Sequence, residues 1–472
     1  MAAGTISIGW ARADITPTKK TLLQGQFHAR LAAAATSPLT ATALALETRA
    51  ADGAVEQAVF LSCDLAGESF KADLVDRLGR RCPDLDRRKI TINATHTHNA
   101  PPLHSGMYEE PENDPDFMPP EEYRSFLAER TAQAVAAAWE GRRPGALRRG
   151  FGYAVVGRCR RATYRDGSAR MYGRTGQPDF LGLEACDDHA VNLLYTEDGD
   201  GRLTGTVVNL ACTSQCDEGT CEVSADFWHE VRLSLASRFG SHVHLLPQCA
   251  PAGDASPHLL LDQREEKDLR GRMGLDDKGI IARRIMAAVE EGLACASPPE
   301  SEVKFAHVVR PLQLPRLQVS DREYAMEKAI PALSPEELAR QPWGFERRWP
   351  FGPVCDLISR YEQQGPHVKH ETECHFIRLG DVAFATNPFE LFMDYGARIR
   401  ARSQALQTFL VQLADGSGDG FYLPTQRALD GGHYSALIKS NWVGPEGGRI
   451  LVDETVAAIA ELFAGQTYPT TR

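Results

Sequence analysis

Stretches of period-two alternation between apolar and polar residues follow one another along the chain, interleaved with stretches of helical spacing. Ile6 to Ile15 reads as a first strand, closed by Thr16-Pro17. From Thr40, ALALETRAADG and AVFLSCDLAG predict two strands about a turn at Ala51 to Gly53, and Asp64 closes the second. A helix is expected over about 68–81, with Leu74, Val75 and Leu78 as its apolar stripe. The next stretch, KITINATHTHNAPPLHSGMY from Lys89 to Tyr108, places Ile90, Ile92, Ala94, His96 and His98 on one face of a strand. Asn99, Pro101 and Pro102 then stop it, so two imidazoles are expected where a strand gives way to a loop. The acidic, proline-rich run to Tyr123 cannot form a regular element and is placed as a cover over that loop.

Downstream the same reading gives a helix over about 120–140 and a hairpin from Val191 with Gly-Asp-Gly at its tip. Then come a helix from Ser224, a strand from His242 that breaks into GDASP, and an amphipathic helix over about 268–293. Residues 297–366, rich in proline and charge, read as an insertion with short helices. ECHFIRLGDVAFATNPFELF predicts a hairpin turning at Gly380-Asp381, followed by a helix over about 390–403 and a strand from Thr408. A glycine-rich connection and a final helix over about 448–463 end the chain. The expected class is α/β, one large mixed-sheet domain over residues 1–472.

Bulk chemistry narrows the function. A net charge of −11 argues against a nucleic-acid partner, whose phosphates need a basic surface. No apolar run is long enough to span a bilayer, and the amino terminus lacks the basic and apolar segments of a secretory signal. The 11 cysteines are odd in number and irregularly spaced, which suits free thiols in a reducing compartment. A cytoplasmic protein acting on a small molecule, without stable membrane association, is expected.

The candidate chemistry centres on the H-x-H pair, since neutral imidazole both binds zinc and titrates near neutral pH. His28 and Arg30 lie in a loop, either solvated or reaching the site; Arg160 and Arg161 are either surface charges or an oxygen clamp. Asp64 either caps the following helix or supports a metal ligand, and Asp226 and His229 share one face of a helix. Cys212, Cys216 and Cys221 form no C-x-x-C pair. Ser256 lies in a glycine- and proline-containing loop, but the G-x-S-x-G elbow of serine hydrolases is absent. Glu390 and Tyr422 both stand where a strand gives out, and His433 and Tyr434 follow two glycines.

Taken in order, ADITP, THTH with its proline loop, GDASP, NPFEL, YLPT and GGHY resemble the catalytic domain of the neutral and alkaline non-lysosomal ceramidases over nearly the whole chain. The resemblance implies that domain's fold, without the additional β-sandwich, and a zinc-dependent amide hydrolase. It implies His96, Glu390 and Tyr422 as zinc ligands, His98 as an acid or hydrogen-bond donor, and Arg160, Ser256 and Tyr434 as substrate-side groups. Where the family has a second zinc histidine after N-F-A-C, this chain reads Asn209-Leu210-Ala211-Cys212-Thr213. His229 is the expected replacement, with Asp226 orienting it; a three-residue site completed by water is the alternative. A soluble amide is the expected substrate. An ester, lactone or glycoside on the same scaffold, or a metal-free binding protein, are the other readings.

Overall fold

β1 (Gly4–Asp14) pairs antiparallel along its whole length with β2 (Thr40–Ala50), which pairs in turn with β3 (Val55–Cys63). These pairings come from a computed structural model, which describes residues 3–67, 69–79, 81–330, 334, 336–337, 356–415 and 421–466. β3 is parallel to β4 (Ile90–Ala94), and the crossover that parallel pairing requires carries helix α1 (Lys71–Leu78). After α2 (Pro120–Glu140) the chain returns to the other side of β1 as β5 (Arg143–Tyr153), β6 (Ala190–Asp198) and β7 (Leu203–Leu210), all antiparallel. Helix α3 (Phe227–Phe239) leads to β8 (His244–Cys249), parallel to β7. Strand order is β8-β7-β6-β5-β1-β2-β3-β4, and Glu302–Val303 pairs with β1 as a ninth strand.

A second sheet contains β9 (Phe305–Pro315), β10 (Lys369–Leu379), β11 (Val382–Thr386) and β12 (Gln407–Val411) in that order, with β11 and β12 parallel. The two sheets face each other. Ile6, Leu44, Phe60 and Leu246 of the first interdigitate with Phe305, Ile377, Phe384 and Phe409 of the second. On the outer face of the first sheet, Ala43, Val59 and Leu61 meet Leu127, Val135 and Trp139 of α2, while Leu193 and Val208 meet α3. Helix Pro445–Leu462 covers the outer face of the second sheet through Leu451 and Ile459. The result is a sandwich of two sheets between helices, the expected α/β class. Among the described residues no helix is long and apolar enough to cross a membrane.

Three expectations change. Residues 305–315 are not part of an insertion but the edge strand of the second sheet, paired with β10 over its full length. Pro311 and Pro315 disguise it, and an edge strand is where a sheet accommodates proline. Residues 338–355 of the expected insertion lie outside the described residues, as do 416–420 of the glycine-rich connection. The helix over 268–293 is two helices, Gln263–Met273 and Asp277–Ala294, because Gly274 takes a left-handed conformation at φ 64°. The alternation from Ile90 also stops early: all five residues of β4 are buried, and the two histidines are presented by a turn beyond it.

Candidate active site

The site forms at the carboxyl ends of β4, β7, β11 and β12, the usual place for a crevice in an α/β sheet. Beyond Ala94 the chain reverses at His96, whose φ of 63° is strained for a residue with a side chain. Hydrogen bonds hold that conformation. Ser214 N donates to His96 O at 3.1 Å, Ser214 Oγ to Thr95 O at 2.8 Å, and Thr97 Oγ1 to Ser224 O at 2.7 Å. Both imidazoles thereby reach one cavity of about 400 Å³, with ring centres 5.2 Å apart. Gly25 closes over His98: at φ 106° it tolerates no ordinary residue, and a Cβ there would lie 2.4 Å from the ring.

Glu390 and Tyr422 enter from the opposite wall as register partners in a two-residue parallel ladder, Glu390–Leu391 beside Tyr422–Leu423. His96 Nε2 stands 3.7 Å from Glu390 Oε2, which has no hydrogen-bond partner. Arg160, 1% exposed, donates to Tyr172 Oη at 2.8 Å, to Gly253 O at 2.9 Å and to Gln215 Oε1 at 3.2 Å. Its Nη2 lies 3.6 Å from Glu390 Oε2. Tyr434, Phe27, Met171 and Phe421 supply apolar lining, and Gln24, Gln26, Gln215 and Glu218 supply polar lining. Met107, at the start of the acidic loop expected as a cover, also lines the cavity, and Tyr108 Oη donates to Gln26 O at 2.7 Å.

Burial dominates the electrostatics. It depresses His96 well below the ordinary histidine value, aided by His98 and Arg160, so this ring is a neutral donor. His98 is lowered by burial too, against the pull of Glu218. The Glu390 carboxyl is pushed up to about 7 by burial, with Arg160 and the Tyr422 hydroxyl acting the other way. Tyr422 and Tyr434 are raised well above the phenol range by burial. Despite its own burial, Glu218 stays below the carboxylate range because His258 and His98 bond to it. Such opposed shifts in one cleft are the mark of a functional site.

Of the residues singled out in the sequence, His96, His98, Arg160, Glu390, Tyr422 and Tyr434 meet in this cavity. His229 does not. Helix α3 turns Phe227, Trp228, Val231 and Leu235 into the core, which leaves His229 half-buried, close to the charges of Glu230, Arg232, Asp64 and Lys278. Asp226 is the cap of that helix, accepting from Phe227 N at 2.8 Å. Ser256 is fully buried and does not line the cavity; its Oγ accepts from His258 N at 3.3 Å. Asp64 neither caps α1 nor lines the cavity: it accepts Thr95 Oγ1 and makes a two-pronged pair with Arg232. Arg30 is buried rather than solvated and donates to His98 O. Gln215, Glu218 and Tyr172 escaped the sequence reading. The first two follow the end of β7, and that position was the only signal available for them.

The donor chemistry allows a test for zinc. Ligand bonds of about 2.1 Å let two donors of one ion lie at most about 4.2 Å apart, and the His96 and Glu390 atoms fall within that reach. A neutral imidazole, an unpaired buried carboxylate oxygen and the Tyr422 phenol bonded to the same carboxylate fit a three-ligand site with a further position open. Among the described residues no three His, Cys, Asp or Glu side chains are grouped to hold a metal, so the tyrosine is needed as the third donor. Thr213, where the sequence resemblance expects a second zinc histidine, is buried, and its hydroxyl bonds to Gln215 Oε1.

The chain as a whole is similar to a solved structure of the neutral ceramidase from Pseudomonas aeruginosa, with a TM-score of 0.69 and 16% identity over 98% of this chain and 76% of that one. A structure of a ceramidase complexed with C2 is similar over 97% of this chain and 75% of the other, with a TM-score of 0.64 and 16% identity. No protein-family model and no curated protein matches the sequence. The fold is that of the neutral ceramidases.

Proposed function

We propose that this chain, which has the neutral ceramidase fold, is a zinc-dependent hydrolase of that superfamily that cleaves an amide in a soluble, polar molecule. The observation that carries the reading is the meeting, in one cavity, of His96, Glu390 and Tyr422 with His98, Arg160 and Tyr434, brought there from separate segments of the chain. Packing alone gives these six polar groups no reason to converge. His96, Glu390 and Tyr422 would hold the ion, which would supply an acidified water and a polarised carbonyl. Gln24, Gln26, Gln215 and Glu218 on the wall favour a polar acyl or amine portion over a long hydrocarbon tail.

The chain's own residues then have separable tasks. Arg160 is fixed by Tyr172, Gly253 and Gln215 and presents positive charge toward the oxygen that becomes negative as the carbonyl is attacked. Tyr434 keeps its hydroxyl protonated and can donate to the same oxygen. His98 can take up a proton at a ring nitrogen as the carbonyl is attacked and pass it to the departing amine.

The test is metal content by elemental analysis on wild type and on His96→Ala, Glu390→Ala and His229→Ala, purified in parallel, followed by a screen of soluble amides for amine release. About one zinc per chain is expected in wild type and in His229→Ala, and none in the other two. A wild type that holds no zinc and cannot be reloaded refutes the zinc reading. Release of alcohol from esters without amine from amides refutes the amide.

A further inference from the structure

Glu218 has no role in the chemistry above, yet its carboxylate meets four side chains around the cavity. Its Oε2 lies 3.0 Å from His98 Nδ1 and accepts from Gln26 Nε2 and Gln215 Nε2 at 3.0 Å each. Its Oε1 lies 2.7 Å from His258 Nε2. A carboxylate gripped at both oxygens cannot rotate, so the direction it presents to His98 is fixed.

The backbone around it is built to the same end. Arg30, 3% exposed, sends Nη1 to Glu218 O at 2.8 Å and Thr220 O at 2.9 Å. Its Nη2 goes to Gln24 O at 2.9 Å and to His98 O. One buried guanidinium therefore ties the loop that carries Glu218 to the backbone of the histidine that Glu218 touches. Asn99 repeats the tie, donating from Nδ2 to Thr220 Oγ1 at 2.9 Å and to Glu222 O at 2.8 Å. Gly25 seals the other face of the ring.

We propose that Glu218, clamped by His258 and by the Arg30-tied loop, is the positioning residue of the site: it holds His98 as the Nδ1–H tautomer, with Nε2 facing the substrate. An ionised carboxylate only accepts, so the nitrogen facing it bears the hydrogen and the other nitrogen is left with its lone pair. Gln215 Nε2 lies 3.2 Å from each ring nitrogen, so it favours neither tautomer by itself, and it donates to the same carboxylate at 3.0 Å, which fixes the carboxylate's direction further. His98 thus takes up a proton at Nε2 from the reacting groups and returns it to the leaving amine at the same atom. Glu218 keeps Nδ1 protonated throughout. The inference rests on the hydrolase reading for its consequence, but the tautomer itself does not depend on it.

The test has two arms. With zinc-loaded protein labelled with ¹⁵N in histidine, and His98→Gln used to assign the signal, wild type is expected to show His98 as Nδ1–H. Glu218→Ala is expected to lose that preference, and Glu218→Gln, whose side-chain oxygen still accepts, to retain it. With an amide from the release screen, Glu218→Ala lowers kcat by ~10–100-fold at nearly constant KM, and Glu218→Gln recovers most of the loss. A wild-type His98 protonated at Nε2, or a Glu218→Ala protein that keeps both tautomer and kcat, overturns the proposal. If no amide is turned over, the hydrolase reading fails while the first arm still decides the role of Glu218.

Discussion

Arg161 offers the sharpest quantitative test of how the site is assembled. Its side chain is 0% exposed and that of Glu184 2%, with Nε to Oε2 at 2.7 Å and Nη2 to Oε1 at 3.1 Å. The remaining donors go to Ser435 Oγ at 2.9 Å, Gly432 O at 3.0 Å and Ala428 O at 3.2 Å, the segment that carries Tyr434 into the cavity. Arg161→Met keeps the length and the apolar stem but leaves a buried carboxylate alone, which costs ~3–5 kcal/mol. Glu184→Gln strands the guanidinium at a similar cost. The double variant removes both charges, so it should lose less than the sum of the single losses, with a coupling of about 1–3 kcal/mol. Urea unfolding with the slope checked for constancy reads all four proteins. Because Tyr434 is not among the proposed zinc ligands, Arg161→Met should keep its metal while losing hydrolysis. A loss under about 1 kcal/mol, or strict additivity, would refute this account of the pair.

Two further outcomes follow from the geometry. Gly25→Ala places a methyl against the His98 ring at a φ of 106°; overpacking of ~1–3 kcal/mol adds to backbone strain of ~1–2 kcal/mol, and a variant as stable as wild type would show that the approach is not tight. Asp254 is 1% exposed, and burial pushes its carboxyl up from the ordinary 3.8 to about 7, against a hydrogen bond from Met393 N at 2.8 Å. The native state therefore binds this proton more tightly than the unfolded chain. The stability it contributes is complete below about pH 3.8 and lost as pH rises through 7. Asp254→Asn should flatten that slope, of at most ~1.4 kcal/mol per pH unit, in urea midpoints taken from pH 4 to 8; parallel profiles would sink the assignment.

What could be read from the sequence was local. The hairpin at Gly380 and the helix Pro120–Glu140 depend on turn chemistry and spacing within a few residues, and the structure has both, whereas the strand expected to reach His98 ends at Ala94. Pairing across long separations was not legible. β9 meets β10 after more than fifty intervening residues, and its prolines point away from a strand until its edge position is known. For the same reason the local reading left Arg160 and Arg161 open between surface charge and oxygen clamp, and only the family resemblance pointed to Arg160. Their partners Glu390 and Ser435 lie in the last third of the chain, and nothing near an arginine in sequence distinguishes a buried one from a solvated one. The His229 expectation assumed that nearness in sequence to the missing ligand implied nearness in space, whereas the helix period turns that side chain off the core face.

Thr213 stands where the family resemblance expects a zinc histidine, and the structure shows why a difference there need not disturb the fold. The sandwich is held by contacts between Phe60, Phe384, Phe409 and their neighbours, well inside the strands. The candidate site side chains stand beyond the strands of the two large sheets, on segments fixed by hydrogen bonds to backbone atoms. A change at Thr213 therefore leaves the apolar core untouched. It alters only who satisfies whom: the threonine hydroxyl turns to Gln215, and Gln215 links Arg160, His98 and Glu218 into one network. Because Gln215 both bonds to Thr213 and lines the cavity, replacing it should disturb recognition and chemistry at once if the proposed hydrolysis is right.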